Sequence, residues 1–311
     1  MKEIKNILIC GAGMMGKNIG YVFASNPSFQ VGMYDLYPTD VEAGIRTNTK
    51  QLLDKGVITE QELSDRLSRI SFTNDIDSDL VKNADLVIEA VFEDMKIKRD
   101  IFAKLEARCR PDTIFCTNSS VMSPSEISAE LQHRERFVGT HFWNPGHLIP
   151  LVEVVKSDAS SDEVAQTVMD VLASAGKEPV LCKKDVPGFI ANRMQHALWR
   201  EAISIVERGI ADAATVDKAV RYSFGLRLPQ LGPMENADMV GTDLTYNIHD
   251  YILKDLEDSH EPSPLLKKLR DEGKIGFKTG EGFQTWTPGQ IKASNEGLND
   301  YLVDMLYGKK K

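Results

Sequence analysis

Residues Ile4–Cys10 form a short apolar run that ends in Gly11-Ala12-Gly13-Met14-Met15-Gly16. A helical pattern follows (Ile19, Val22, Phe23), then a second apolar run, Gln30–Tyr34, that closes on Asp35. Strand, GxGxxG, helix, strand and acid in this order leave a chain few folds to choose from. Gly11 permits a tight turn, Gly13 lets a ligand's pyrophosphate approach the backbone, and Gly16 allows the helix to pack closely on the strand. Met14 and Met15 open the helix whose N-terminal amides would face the phosphates. Asp35 can accept both hydroxyls of a ribose and would repel a 2′-phosphate. The motif therefore predicts a dinucleotide site that prefers NAD to NADP.

The second informative stretch is THFWNPGHLIPLVEVV, residues 140–155. His141 ends one strand-like run, and Glu153 lies inside the next, LVEVV. Pro145, Gly146 and Pro150 break regular structure between them, so the two runs can lie close in space. A histidine beside a carboxylate suits general acid–base chemistry near neutral pH: the carboxylate fixes the tautomer and stabilises the imidazolium.

Between and around these stretches an α/β rhythm predicts a Rossmann-type, mostly parallel sheet. Strands are expected at 85–90, 113–116, 136–141 and 178–183, with helices at 96–109, 124–131 and 161–175. Val41–Lys55 and Thr59–Ile70 read as an inserted α-hairpin, the second helix opened by a Thr/Glu capping box. Residues 1–184 are the expected dinucleotide domain. From Asp185 onward the periodicity is helical, with helices expected at 190–208, 214–223, 234–253, 263–271 and 287–306. Residues 185–311 thus read as an all-α substrate and dimerisation domain with a glycine-rich loop at 274–286.

The chain of 311 residues carries a net charge of −9, which argues against nucleic acid or an anionic membrane as partner. It has no long apolar span, and the four cysteines show no CxxC pairing, so reduced thiols and a cytoplasmic location are expected. No metal site is expected. The C-terminal GKKK reads as a solvated tail.

GAGMMG (11–16), DLVIEAVFEDMKIK (85–98), TNSS (117–120), HFWNPGHLIPLVEVV (141–155), DVPGFIANR (185–193), GPMENADMVGTD (232–243) and GKIGFKTGEGF (273–283) resemble, in order, the L-3-hydroxyacyl-CoA dehydrogenases. The resemblance implies His141 as base, Glu153 as its orienting partner, and Ser119 and Asn192 as groups that hold the reacting oxygen. It implies Asn144 beside nicotinamide and substrate, Glu93 and Lys98 near the nicotinamide-side ribose, and a less defined cofactor role for Lys278. The family's hairpin helps hold coenzyme A, which would give Lys50 and Lys55 a use. A binding-only relative would not need His141, Glu153, Ser119 and Asn192 together.

Some residues depart from the acyl-CoA pattern. The chain reads CTNSS where SNTSS is usual, and HFWNPGHLIPLVEV where HFFNP and a Met–Lys pair precede LVEV. Gly225–Pro233 replaces a shorter turn. The PLVE form and the GLR…GP spacing are similar to L-gulonate and carnitine dehydrogenases, which oxidise free hydroxy acids, and in such a site Arg227 would clamp a carboxylate. Trp143 and His147 would narrow the acyl pocket or pack. The α-hairpin and the tail SPLLKKLRDEGKIGFKTGEGF are instead similar to 3-hydroxybutyryl-CoA dehydrogenases. The favoured expectation is NAD-dependent oxidation of an L-3-hydroxyacyl-CoA by a homodimer, and the alternative is a free 3-hydroxy acid as substrate.

Overall fold

The computed structural model describes residues 3–308, so the three lysines of the GKKK tail lie outside the described residues. Eight strands form one sheet in the order β3-β2-β1-β4-β5-β6-β7-β8. They are β1 (Asn6–Cys10), β2 (Gln30–Tyr34), β3 (Ile70–Thr73), β4 (Leu86–Glu89), β5 (Ile114–Thr117), β6 (Phe137–Phe142), β7 (Leu151–Lys156) and β8 (Glu178–Cys182). Alternation along the strands divides the core between the two faces. Ile7 and Ile9 pack in one apolar cluster, and Leu8 and Cys10 in the other. Helices α1 (Met14–Phe23), α2 (Val41–Asp54) and α3 (Glu60–Leu67) contribute to the first. Helices α4 (Asp79–Lys82), α5 (Met95–Glu106) and α6 (Pro124–Ile127) contribute to the second, and α7 (Asp162–Ser174) returns to the first.

Side-chain caps set several helix starts. Asp40 accepts from the Ala43 amide, Asp94 from Ile97 and Ser161 from Val164, and Thr59 with Glu62 forms the expected capping box. The hairpin ends earlier than expected. Helix α3 stops at Leu67, and Ile70 begins β3, an edge strand paired parallel with β2. Only four residues long, ISFT offers too short a β signal to stand out from the preceding helical pattern.

The sheet also departs from uniformly parallel order. β7 runs antiparallel to β6, because the segment 143–150 is too short for the crossover that a parallel pair requires. This reversal sets His141 directly opposite Glu153 in the ladder.

The contacts divide the chain into two compact units. Of the described residues, the first holds those up to Ala191 together with 300–308, and the second is Asn192–Asn299. The helices of the second part of the chain are α8 (Ala191–Glu207), α9 (Ala213–Arg221), α10 (Pro233–Val240), α11 (Thr242–Ile252), α12 (Pro264–Asp271) and α13 (Pro288–Tyr307). The single helix expected over 234–253 is two. Gly241, at φ +102°, leaves the helical region and separates α10 from α11.

Candidate active site

At the start of the sheet the glycine turn has the shape its spacing predicts. Gly11 sits at φ +107°, and a Cβ there would lie 2.5 Å from the Ala90 carbonyl oxygen. A Cβ on Gly16 would fall 1.8 Å from the Gly11 oxygen, whereas one on Gly13 would meet nothing within 4 Å. The open space is therefore above Gly13, at the N-terminus of α1, which no side chain caps. Asp35 stands at the end of β2, its Oδ2 accepting the Ala12 amide at 2.7 Å. Open space above Gly13, an uncapped helix N-terminus and a terminal carboxylate fit a dinucleotide, with Gly11–Gly16 at the pyrophosphate and Asp35 at the ribose. Gly16→Ala is expected to abolish NADH binding, read as loss of NADH fluorescence enhancement. Retained binding would mean that the turn re-forms around the methyl group.

Further along the sheet a carboxylate and a histidine meet in the interior. His141 is 4% exposed and Glu153 0%. The His141 Nδ1 lies 2.8 Å from Glu153 Oε2. Glu153 Oε1 accepts two backbone amides, from Ile190 at 2.8 Å and Ala191 at 3.0 Å, where the chain enters α8. Trp143 Nε1 donates to Oε2 at 3.4 Å. Burial opposes the charge on Glu153, but the His141 bond and the Ala191 and Ile190 amides outweigh it and hold the carboxyl below its ordinary range. An ionised carboxylate on Nδ1 places the imidazole proton there and leaves Nε2 as the basic nitrogen. The rings of Trp143 and Phe189 flank the imidazole, with centroids at 5.5 Å and 5.7 Å.

A second buried network lies at the ends of β4 and β5. Glu89, fully buried, accepts from Lys98 Nζ at 2.7 Å, Thr117 Oγ1 at 2.6 Å and the Val91 amide at 2.8 Å. Burial pushes the Glu89 carboxyl upward, against the pull of Lys98. Lys98, 1% exposed on the first turns of α5, also pairs with Glu93 at 3.1 Å. Glu93 in turn accepts the Ser119 hydroxyl hydrogen, and the Met122 amide donates to Ser119 Oγ at 2.9 Å. Burial opposes charge on Glu93 too, but Ser119 and Lys98 bring its carboxyl below the ordinary range. Lys98 is thus a buried tie between two carboxylates, and Glu93 presents itself to Ser119. Between the two networks, Asn118 Oδ1 accepts the Phe142 amide at 2.9 Å and links the end of β5 to β6.

The segment 143–150 carries the remaining candidates of this unit. Asn144 is exposed. Gly146 packs on α1, where a Cβ would be 3.3 Å from Met15. Lys177, almost buried, donates to the Gly146 and Ile149 carbonyls at 2.7 and 2.8 Å and so pins the segment. Burial brings Lys177 down to about 8, and burial followed by the Lys177 charge brings His147 down to about 4. His147 is therefore a neutral packing residue near pH 7.

The hairpin lysines are engaged elsewhere. Lys50 pairs with Asp54 within α2. Lys55 pairs with Asp300 at 2.9 Å and Asp304 at 3.0 Å on α13. In the second unit, Asn192 is the first residue, and Arg227 and Lys278 are exposed. Glu89 and Lys177 were not singled out from the sequence. A carboxylate inside the apolar run DLVIEA is the signal that would have found Glu89; Lys177 left none.

A glycine-rich dinucleotide turn and a buried His–Glu pair on one sheet define a nicotinamide-dependent oxidoreductase. Residues 6–186 match the model of the 3-hydroxyacyl-CoA dehydrogenase NAD-binding domain, and 188–286 that of the same enzymes' C-terminal domain. A 5-formyl-3-hydroxy-2-methylpyridine 4-carboxylate 5-dehydrogenase of Mesorhizobium japonicum is 35% identical over 292 residues, 93% of each chain. A probable 3-hydroxybutyryl-CoA dehydrogenase of Bacillus subtilis is 37% identical over 285 residues, covering 90% of this chain and 97% of its own. A crystal structure of a 5-dehydrogenase of that pyridine carboxylic acid, described as an NAD⁺-dependent dismutase, superposes with a TM-score of 0.87 at 34% identity over 97% of both chains. The chain belongs to the 3-hydroxyacyl-CoA dehydrogenase family, and it is an NAD-dependent enzyme.

Proposed function

We propose that the protein oxidises the 3-hydroxyl of an L-3-hydroxyacyl-CoA to the ketone, reversibly, with His141 as general base. The observation that carries this reading is the 2.8 Å contact between His141 Nδ1 and the buried Glu153 carboxylate. Bound NAD supplies the hydride acceptor. His141 takes the hydroxyl proton at Nε2, and Glu153 stabilises the imidazolium that results. Ser119, held by Glu93 and the Met122 amide, and Asn192, next in the chain after Ala191, hold the substrate oxygen. Asn144 and Glu93 line the nicotinamide side, with Lys98 fixing Glu93 from behind. Lys278 is assigned to the cofactor by resemblance alone.

A second reading, oxidation of a small free acid, is favoured by two observations. One is the likeness to the pyridine-carboxylate dehydrogenase over 97% of both chains. The other is the engagement of Lys50 and Lys55 in ion pairs rather than free display toward coenzyme A. In that reading the exposed Arg227 is the carboxylate clamp. The deciding experiment follows NADH absorbance with L-3-hydroxybutyryl-CoA, free 3-hydroxybutyrate, L-gulonate, L-carnitine and the pyridine substrate named for the relative. Turnover on the thioester alone is the expected result. Turnover on a free acid alone would replace the thioester assignment and make Arg227→Ala a KM variant.

The substrate and dimerisation roles belong in this reading to the helical unit, where Met234, Met239, Tyr246 and Tyr251 on α10 and α11 are 74, 71, 71 and 86% exposed. Apolar side chains so exposed on adjacent helices fit burial against a second copy. Sedimentation is expected to show a dimer, and a monomer at micromolar concentration would overturn this. Among the described residues no helix is long and apolar enough to cross a membrane, and all four cysteines are free thiols. The enzyme is proposed to act on a small molecule in the cytoplasm.

A further inference from the structure

We propose that Trp143 is a positioning residue that sets the base strength of His141 through the carboxylate they share. The inference rests on the reading of His141 as base and deepens it. Glu153 receives four donors. The amides of Ile190 and Ala191 occupy Oε1, while His141 Nδ1 at 2.8 Å and Trp143 Nε1 at 3.4 Å share Oε2. The backbone amides are fixed by the entry into α8, and the histidine bond is part of the dyad. The indole N–H is the donor that a side-chain substitution can remove while leaving the other three in place.

Each donor withdraws charge from the carboxylate, and charge left on Oε2 is what stabilises a protonated imidazole. Trp143 therefore competes with His141 for the same oxygen and weakens the pull that would hold a proton on the ring. A base that keeps its proton too tightly is unprotonated, and so ready to act, only at higher pH. The indole thus takes up part of the Glu153 charge that would otherwise act on the imidazolium alone.

The elements packed on the pair present the following groups. His141, on β6, is the titratable side chain opposite Glu153; β8 presents Val180 at the Glu153 register position, and the segment before α8 presents amides and the Phe189 ring. The Trp143 ring itself lies 5.5 Å from the imidazole, tilted 49° to it, and can act on a cationic ring separately from the N–H. A test must therefore separate the N–H from the ring.

Replacing Trp143 by 3-benzothienylalanine does so, because sulfur takes the place of the N–H and the bicyclic ring is kept. Trp143→Phe is the genetically simple companion. The histidine ring is read directly by NMR titration of isotope-labelled histidine in the cofactor-free protein, with His141 assigned by its loss in His141→Gln. The midpoint of His141 is expected to move up by about half to one pH unit in the benzothienyl protein, the size of a lost charge-assisted bond of long geometry. The acid limb of kcat/KM is expected to move with it, with NADH affinity unchanged. An unmoved or lowered midpoint in the benzothienyl protein would overturn the proposal, whatever the turnover shows. If His141→Ala keeps its turnover while the NMR midpoint still moves, the Trp143–Glu153 coupling stands and the assignment of His141 as base falls.

Discussion

In the His141→Ala protein kcat is expected to fall by about 10²–10⁴-fold, the usual contribution of a positioned proton acceptor. NADH is expected to bind with little change, because the glycine turn and Asp35 lie at the ends of β1 and β2, apart from the His141–Glu153 pair between β6 and β7. Stopped-flow turnover and a fluorescence titration with NADH read the two quantities separately. A variant that loses both in equal measure would point to a structural role for the buried imidazole. A variant that keeps turnover would remove His141 as base. Glu153→Gln is expected to behave differently, because it keeps the side chain's shape and one acceptor oxygen. A neutral amide cannot offset an imidazolium, so kcat falls while the fold is retained.

Lys98→Met is expected to cost about 3–5 kcal/mol of stability near pH 8, the cost of stranding one member of a buried ion pair. Glu89 would keep the Thr117 hydroxyl and the Val91 amide but lose its counter-charge. Its carboxyl, already pushed up by burial, would then rise further. The folded variant therefore binds a proton at a pH where the unfolded chain does not. The deficit is full above the folded carboxyl's titration and shrinks as pH falls through it, vanishing below the ordinary carboxylate range. Urea unfolding at pH 8 and pH 5.5 measures this directly, and a deficit equal at both pH values would show that only packing was lost. Activity should fall as well, since Glu93 loses the ammonium that holds it against Ser119.

The parts of this protein governed by local rules are legible in the residues alone. Gly11, Gly13, Gly16 and Asp35 stand in a strand–turn–helix–strand pattern whose backbone needs are short-range, and the dinucleotide turn formed as its spacing predicts. The capping box at Thr59 and the strands around His141 and Glu153 were legible for the same reason. Periodicity is a weaker guide where one residue overrides it, as when Gly241 splits a continuous helical pattern into α10 and α11.

Which distant groups meet depends on how the elements pack. Proline and glycine between residues 143 and 150 announce a break, but the antiparallel register that sets His141 opposite Glu153 is a property of the paired strands. The same holds for Ile190 and Ala191, whose amides reach Glu153 from the start of α8, and for Lys55, neutralised by Asp300 and Asp304 at the other end of the chain. Lys98 read as a cation near a ribose and became a buried tie because α5 packs its first turns against the end of β4. Local sequence sets dihedral preference and which face of an element is apolar. The partner of a buried charge is chosen by register and packing between elements far apart in the chain, where desolvation makes an unpaired charge too costly to keep.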